Sequence, residues 1–102
     1  MNQEIKQKWL EALRSGKYKQ GRLGLRNKQN EFCCLGVLCD VLDNNKWLLD
    51  ELWSIEFYKY DDSISVANEE LIPLDIQDDL MSLNDNYLYN FNKIADYIEE
   101  NL

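Results

Sequence analysis

The chain has 102 residues, of which 45% are hydrophobic and 29% charged, a balance typical of one globular domain and not of a disordered segment. No apolar run approaches the roughly 20 residues that span a bilayer, and the N-terminus lacks the pattern of a secretory signal, so the sequence predicts a cytoplasmic protein with no membrane partner. Histidine is absent, which removes the usual general base near neutral pH and the commonest metal ligand, so we expect no enzyme, no metal site and no cofactor.

The charge is divided unevenly along the chain. Residues 1–28 hold eight basic residues against two acids and carry +6, whereas residues 29–102 hold three against seventeen and carry −14. Such a split suggests one anion-binding face on an otherwise acidic protein. Long DNA or RNA would also meet the acidic part, so we expect a small phosphorylated partner and no bulk nucleic acid.

An amphipathic helix is predicted over residues 3–14. Ile5, Trp9, Ala12 and Leu13 recur at the spacing of one helical stripe. Asn2 can cap the start of this helix, and Gly16 can end it.

A β-hairpin is predicted next. Leu23 and Leu25 alternate with polar residues and glycine at the period of a half-buried strand. Residues 27–30 form a polar turn, and residues 31–33 are the expected return strand.

A buried helix is predicted over residues 33–42, where apolar residues recur at helical spacing until Asn44 and Asn45. Gly36 weakens this helix, and a glycine in a buried helix indicates the close approach of another backbone.

Short elements are predicted in the second half. Residues 57–60 and 64–67 resemble strands around a turn at 61–63, and Pro73 suits the first turn of a short helix that runs to about Leu80. Residues 84–86 are expected to form a turn, and a last helix runs from about Asn90 to Asn101. The predicted fold class is α+β, with three or four helices and a small antiparallel sheet in a single compact domain of residues 1–102.

Three groups of side chains are better explained by structural roles than by catalysis or metal binding. The three cysteines are odd in number and lack the spacing of a zinc site, so we interpret them as small buried hydrophobes. The acids of residues 75–79 suit the positive end of a helix dipole. The aromatic side chains of residues 47–60 belong either to the core or, for an exposed subset, to a subunit interface.

The best candidate for a binding site is the basic segment, which we define as residues 15–28. It holds three of the four glycines and no acid, and glycine lets backbone N–H groups approach a phosphate. On a strand, Arg22 and Arg26 would share a face with Gly24 and point two guanidinium groups at one ligand. The alternative is a solvated basic loop that pairs with the protein's own acids, and the spacing matches no P-loop or dinucleotide motif. The candidate ligand-binding residues are Arg14, Lys17, Tyr18, Lys19, Gln20, Arg22 and Arg26.

Parts of the sequence resemble a family of small bacteriophage-encoded proteins of uncharacterised function. The matching stretches are EIKQKWLEALRSGKYKQG (residues 4–21), LR (25–26), FCCLGVLCD (32–40), LND (83–85) and FNKIADYIEE (91–100). The resemblance leaves about residues 43–80 unmatched, and it implies a phage setting without an established activity.

Small phage proteins without catalytic residues often counter host defence, for example by sequestering nucleotide signals such as cyclic oligonucleotides or cyclic ADP-ribose relatives. By this analogy we expect a homo-oligomeric anti-defence protein in the cytoplasm of the infected host, with a small phosphorylated nucleotide as its ligand. One alternative is an acidic protein-binding inhibitor that imitates nucleic acid and docks on a host enzyme or defence protein. A third reading, a cysteine-dependent or carboxylate-dependent enzyme, also stays open.

Overall fold

A computed structural model describes residues 1–45, 47–49, 58–60 and 72–102 of the chain. The elements in these ranges are α1 (Gln3–Arg14), β1 (Lys19–Gln20), β2 (Glu31–Phe32), α2 (Cys34–Leu42), β3 (Trp47–Leu49), β4 (Tyr58–Tyr60), α3 (Leu74–Asp85) and α4 (Phe91–Asn101). The predicted α+β fold class is confirmed, with four helices in the described ranges. The strand predicted at residues 64–67 and the turn at 61–63 lie outside the described residues.

Helix α1 forms as its sequence predicts. The Asn2 side chain accepts hydrogen bonds from the backbone N–H groups of Glu4 and Ile5, and Gly16 follows the helix with a left-handed φ of 77°. Trp9 is fully buried, and its indole N–H donates to the Cys34 carbonyl at 2.9 Å. Because the polar edge of this large ring has a partner, the ring can occupy the core without an unsatisfied donor.

The strands pair differently from the predicted hairpin. β1 and β2 run parallel, with Lys19 opposite Glu31 and Gln20 opposite Phe32, so the expected antiparallel sheet is wrong for this pair. Residues 22–25 do not form a strand, since residues 23–25 are bends, and Arg26 has an isolated antiparallel bridge to Phe32. The second described pair, β3 with β4, is antiparallel.

The absence of a side chain at Gly21 allows β1 and β2 to approach closely. The N–H of Gly21 donates to the Phe32 carbonyl at 2.7 Å, directly after β1. A Cβ atom at Gly21 would lie 2.8 Å from the Glu31 Cβ, so a side chain there would push the two strands apart.

Helix α2 is buried over most of its length, as predicted. Its N-cap is Cys33, whose Sγ accepts from the N–H of Gly36 at 3.3 Å. A Cβ atom at Gly36 would lie 1.8 Å from the Leu25 carbonyl oxygen, which confirms that another backbone approaches this glycine closely.

Helix α3 is longer than predicted. It extends to Asp85 and not to about Leu80, so the turn predicted at residues 84–86 is wrong for its first two residues. Helix α4 has the predicted bounds, and the Asn90 side chain caps it by accepting from the N–H of Lys93.

The four helices share one hydrophobic core. Fully buried side chains come from α1, α2, α3 and α4, among them Trp9, Leu38, Leu80 and Ile94. Lys6 is buried as well, and its ammonium group donates to the Glu99 carbonyl in the last turn of α4, where the helix dipole favours a cation. None of the described helices has the length and apolar character that crossing a membrane requires.

Candidate functional site

One buried asparagine holds the basic segment against the helices. Asn84 has no exposed surface, and its Oδ1 accepts from Gln20 Nε2 at 2.9 Å and from the Cys34 N–H at 3.3 Å. Its Nδ2 donates to the Gly21 carbonyl at 2.9 Å and to Asp85 Oδ1 at 2.8 Å. Asn84 therefore joins the basic segment, α2 and α3 with its full hydrogen-bonding capacity.

Tyr18 is fixed from two sides. Its hydroxyl donates to Asp40 Oδ2 at 2.5 Å, and its ring meets Phe32 edge-to-face with centroids 5.1 Å apart. The other oxygen of Asp40 accepts from Trp47 Nε1 at 2.9 Å. Burial, followed by the hydrogen bond to Asp40, raises the pKa of Tyr18. The Tyr18 hydroxyl is therefore uncharged at neutral pH, and its ring is held between Asp40 and Phe32.

Two of the candidate cations are paired with acids of the protein itself. The Arg14 guanidinium lies 2.9 Å from Asp96 Oδ1 and 2.7 Å from Glu99 Oε2, and these hydrogen bonds raise the pKa of Arg14. Lys19 Nζ lies 3.3 Å from Glu31 Oε2. For Arg14 and Lys19 the structure matches the alternative of internal pairing.

Arg22 and Arg26 have different environments. The Arg26 guanidinium donates to Asn30 Oδ1 at 2.6 and 3.1 Å, and its carbon lies 5.3 and 5.4 Å from the ring centroids of Phe32 and Trp47. Arg22 is exposed. Because residues 22–25 are not a strand, the alternation that placed Arg22 and Arg26 on one face across a glycine is wrong.

A groove of about 470 Å³ lies along the C-terminal half of α1, and we call it the lysine groove. Lys8 and Lys17 both line it, and neither forms an ion pair with a residue in the described part of the chain. Glu11 is the acid among the lining residues, so the groove has one more positive than negative side chain. The lining residues are Lys8, Glu11, Ala12, Ser15, Lys17, Tyr18 and Val41.

Lys8 was missed by the sequence reasoning, which concentrated on residues 14–26. A signal for it was present, because Lys8, Ala12 and Ser15 follow one another at intervals of four and three residues. Side chains at these intervals lie on the same face of a helix. Projecting α1 beyond its apolar stripe would have placed Lys8 beside the start of the basic segment.

A second groove of about 260 Å³, which Tyr18 also lines, lies at the N-terminus of α4, and we call it the asparagine groove. Asn90, Phe91 and Asn92 supply one wall. The first turn of α4 contains no acid, and the first N–H groups of a helix have no partner within it. The lining residues are Leu13, Arg14, Gly16, Tyr18, Gln20, Asn90, Phe91 and Asn92.

The seven candidate residues are thus divided by the fold. Lys17 and Tyr18 meet in the lysine groove, while Arg14, Tyr18 and Gln20 meet in the asparagine groove. The remaining three, Lys19, Arg22 and Arg26, line neither groove.

The cysteines are buried with free thiols. Burial raises the pKa of Cys33 from its ordinary value of 9.0 to about 11, and it also raises the pKa values of Cys34 and Cys39 well above 9.0. All three thiols are therefore protonated, and poor nucleophiles, at neutral pH. Among the residues that the structure describes, no three cysteines or acids are grouped so as to hold a metal ion.

A protein-family model described as Domain of unknown function (DUF8296) matches residues 1–78. The chain belongs to this family. The DUF8296 match includes residues 43–78, most of the part that the sequence resemblance leaves unmatched, and it ends before α4. No curated protein and no solved structure matches the chain.

The two grooves differ in how much of each the DUF8296 match contains. Every residue that lines the lysine groove lies between Lys8 and Val41, within the match. The asparagine groove takes one wall from Asn90 to Asn92, beyond its end.

Proposed function

We propose that this chain is a phage-encoded anti-defence protein that binds and sequesters a small phosphorylated nucleotide signal, with a phosphate in the lysine groove. The observation that carries the proposal is the presence of two ammonium groups, those of Lys8 and Lys17, in one concave site, with neither paired to an acid of residues 1–45 or 72–102. A phosphate there would gain two charge-assisted hydrogen bonds.

The size of the lysine groove supports a small ligand. Its volume of about 470 Å³ falls within the range of about 300–1,000 Å³ that is usual for small-molecule sites. A duplex or a long single strand would extend beyond the groove onto the acidic remainder of the protein, where its phosphates would be repelled.

Tyr18 extends the site toward the second groove. Tyr18 lines both grooves, so under this proposal a ligand longer than one phosphate would contact the lysine groove and the N-terminus of α4 together. The backbone N–H groups of Phe91 and Asn92 favour an anion at that end. A nucleotide with two separated phosphate groups, as in a cyclic dinucleotide, fits this arrangement.

Sequestration without turnover is consistent with the chemistry of the site. Tyr18 is held in its neutral form by burial and by its hydrogen bond to Asp40. The cysteine thiols are protonated, and the chain has no histidine. The phage setting comes from the resemblance of residues 4–21 and 32–40 to small phage proteins.

Isothermal titration calorimetry with cyclic dinucleotides and cyclic ADP-ribose derivatives tests the proposal. We expect at least one of them to bind, and we expect the double variant Lys8→Ala/Lys17→Ala to weaken binding by about 100-fold. This estimate takes about tenfold for each lost charge-assisted contact, which corresponds to ~1.4 kcal/mol. The ligand should also raise the melting temperature of the wild-type protein but not that of the double variant.

The matched control is Lys28→Ala/Lys93→Ala, which removes the same charge from residues that line neither groove. An equal loss of affinity in the control would mean that only net charge matters, and it would refute the proposed site. Failure of every nucleotide to bind would refute the proposed ligand class. Salt-sensitive capture of a basic host enzyme, unchanged in the Lys8→Ala/Lys17→Ala variant, would support the acidic-inhibitor alternative instead.

A further inference from the structure

An apolar pocket opens on the side of the molecule where the basic segment meets α3. It has a volume of about 150 Å³, and Leu23, Leu25, Leu35 and Met81 are four of its eight lining residues. Leu23 is 82% exposed and Met81 46%, so hydrophobic side chains stand open at the rim. Exposed apolar surface around a pocket is typical of a protein-binding face.

The backbone at Leu23 is held in a conformation that leucine rarely adopts. Its φ is 70°, and its N–H donates to Asp85 Oδ1 at 3.2 Å, which ties this turn to the end of α3. In this strained conformation the Leu23 side chain is 82% exposed and gains little burial within its own chain. A strained turn that presents an apolar side chain to solvent motivates a functional hypothesis.

Charged residues beside the pocket are of complementary sign. Arg22 is exposed and directly precedes Leu23. On α3, which contains no basic residue, Asp85 lines the pocket, and Asp78, two helical turns earlier, is exposed. The same face therefore presents the exposed Leu23 and the Arg22 cation next to an apolar pocket and two acids of α3.

Such a face is complementary to a second copy of itself. In a twofold interface, if residue i of one protomer contacts residue j of the other, then residue j of the first also contacts residue i of the second. Leu23 of one protomer would meet the pocket of its partner, while Arg22 would meet the acids of the partner's α3. A partner that was only acidic or only basic would leave one of these charged groups opposed by a like charge.

We propose that the chain forms a twofold homodimer through this face, with Leu23 of each protomer inserted into the apolar pocket of the other. The dimer gives the expected homo-oligomer a specific surface, separate from the lysine groove. Its test needs no ligand, so the outcome is independent of the proposed nucleotide binding.

Sedimentation velocity over a protein concentration range of about 1 to 200 µM tests this dimer, because association depends on concentration. We expect a wild-type dimer, and we expect Leu23→Asp to weaken association by at least about 30-fold, as loss of a central anchor does. The matched control is Leu48→Asp, because Leu48 is 49% exposed but lies on β3 and does not line the pocket. The control should dimerise like the wild type.

A charge exchange provides a second test that does not alter the apolar contact. Arg22→Glu should weaken the dimer, and the double variant Arg22→Glu/Asp78→Lys should recover most of the lost affinity. Circular dichroism of each variant confirms that it is folded. A wild-type monomer at every concentration, or equal weakening by Leu23→Asp and Leu48→Asp, would overturn the proposal, as would failure of the charge exchange to restore association.

Discussion

Replacing Asn84 by alanine should destabilise the protein more than any change at an exposed polar residue. The side chain is fully buried and has four hydrogen-bond partners, two of which are backbone groups: the Cys34 N–H and the Gly21 carbonyl. Gln20 keeps its second bond, to the Tyr89 carbonyl at 2.7 Å, when Asn84 is lost. The two backbone groups are therefore the ones left unsatisfied.

The size of the effect follows from those two groups. A buried polar group that loses its partner costs about 1–3 kcal/mol, so the pair predicts a loss of roughly 4 kcal/mol. A small domain has a total stability of about 5–15 kcal/mol, so the Asn84→Ala variant should fold but with little stability to spare. With a urea m-value of about 2 kcal/mol/M, the midpoint should fall by about 2 M.

Urea denaturation followed by tryptophan fluorescence measures this loss. The matched control is Asn86→Ala, two residues further along, where the side chain is exposed and the change should stay within about 0.5 kcal/mol. A loss below about 1 kcal/mol at Asn84 would refute the reasoning. It would mean that water reaches the two backbone groups as soon as the amide is removed.

Three further outcomes are expected. Gly36→Ala should lower the free energy of unfolding by about 3 kcal/mol or more in urea denaturation, because the new Cβ would meet the Leu25 carbonyl oxygen at 1.8 Å and backbone must move. Burial raises the pKa of Cys33 to about 11, so between pH 9.0 and about 11 the thiol loses its proton more readily in the unfolded state. The free energy of unfolding, measured in urea, should therefore decline over this range, and it should decline less steeply in Cys33→Ala. The Asn27 hydrogen bond lowers the pKa of Glu31, so its stabilisation is fully present above the usual pKa of 4.5 and is lost as the pH falls through the lowered pKa. The urea midpoints of wild type and Glu31→Gln should therefore converge as the pH falls below 4.5.

The helices were predictable because their signals are local. In α1 the apolar stripe and the Asn2 cap occur within one segment, and in α4 Asn90 precedes a stripe that includes Ile94 and Ile98. Each of these signals acts between residues a few positions apart, so a single sequence contains all of it. The structure places both helices within a residue of the predicted bounds.

The strands were less predictable because alternation is a weak signal over a few residues. Leu23 and Leu25 alternate with polar residues, yet Leu23 has a left-handed φ and is exposed. The strand that pairs with Glu31–Phe32 is Lys19–Gln20, which is wholly polar and has no pattern. Its position depends on Gln20 reaching Asn84, a contact across 64 residues that no local window contains.

Tertiary contacts also decided the end of α3. The run from Asn84 to Asn86 predicts a turn, since asparagine and aspartate hydrogen-bond their own backbone there. In the structure the Asn84 side chain instead bonds distant groups, such as the Cys34 N–H, and the helix continues to Asp85. The partner that removes the turn preference lies 50 residues away.

The contacts of residues 33–36, within the segment of residues 32–40, serve the packing of α2 in the core. Cys33 caps α2 through its sulfur, the Cys34 carbonyl accepts from the buried indole of Trp9, and Gly36 leaves room for the Leu25 carbonyl. The Cys33 contact uses sulfur only as a hydrogen-bond acceptor, and the Gly36 contact requires the absence of a side chain, so neither depends on reactivity. Residues 32–40 therefore stabilise the packing of α2 against its neighbours. The surfaces open to a ligand or a partner are the exposed ones that this packing positions, namely the lysine groove and the face around Leu23.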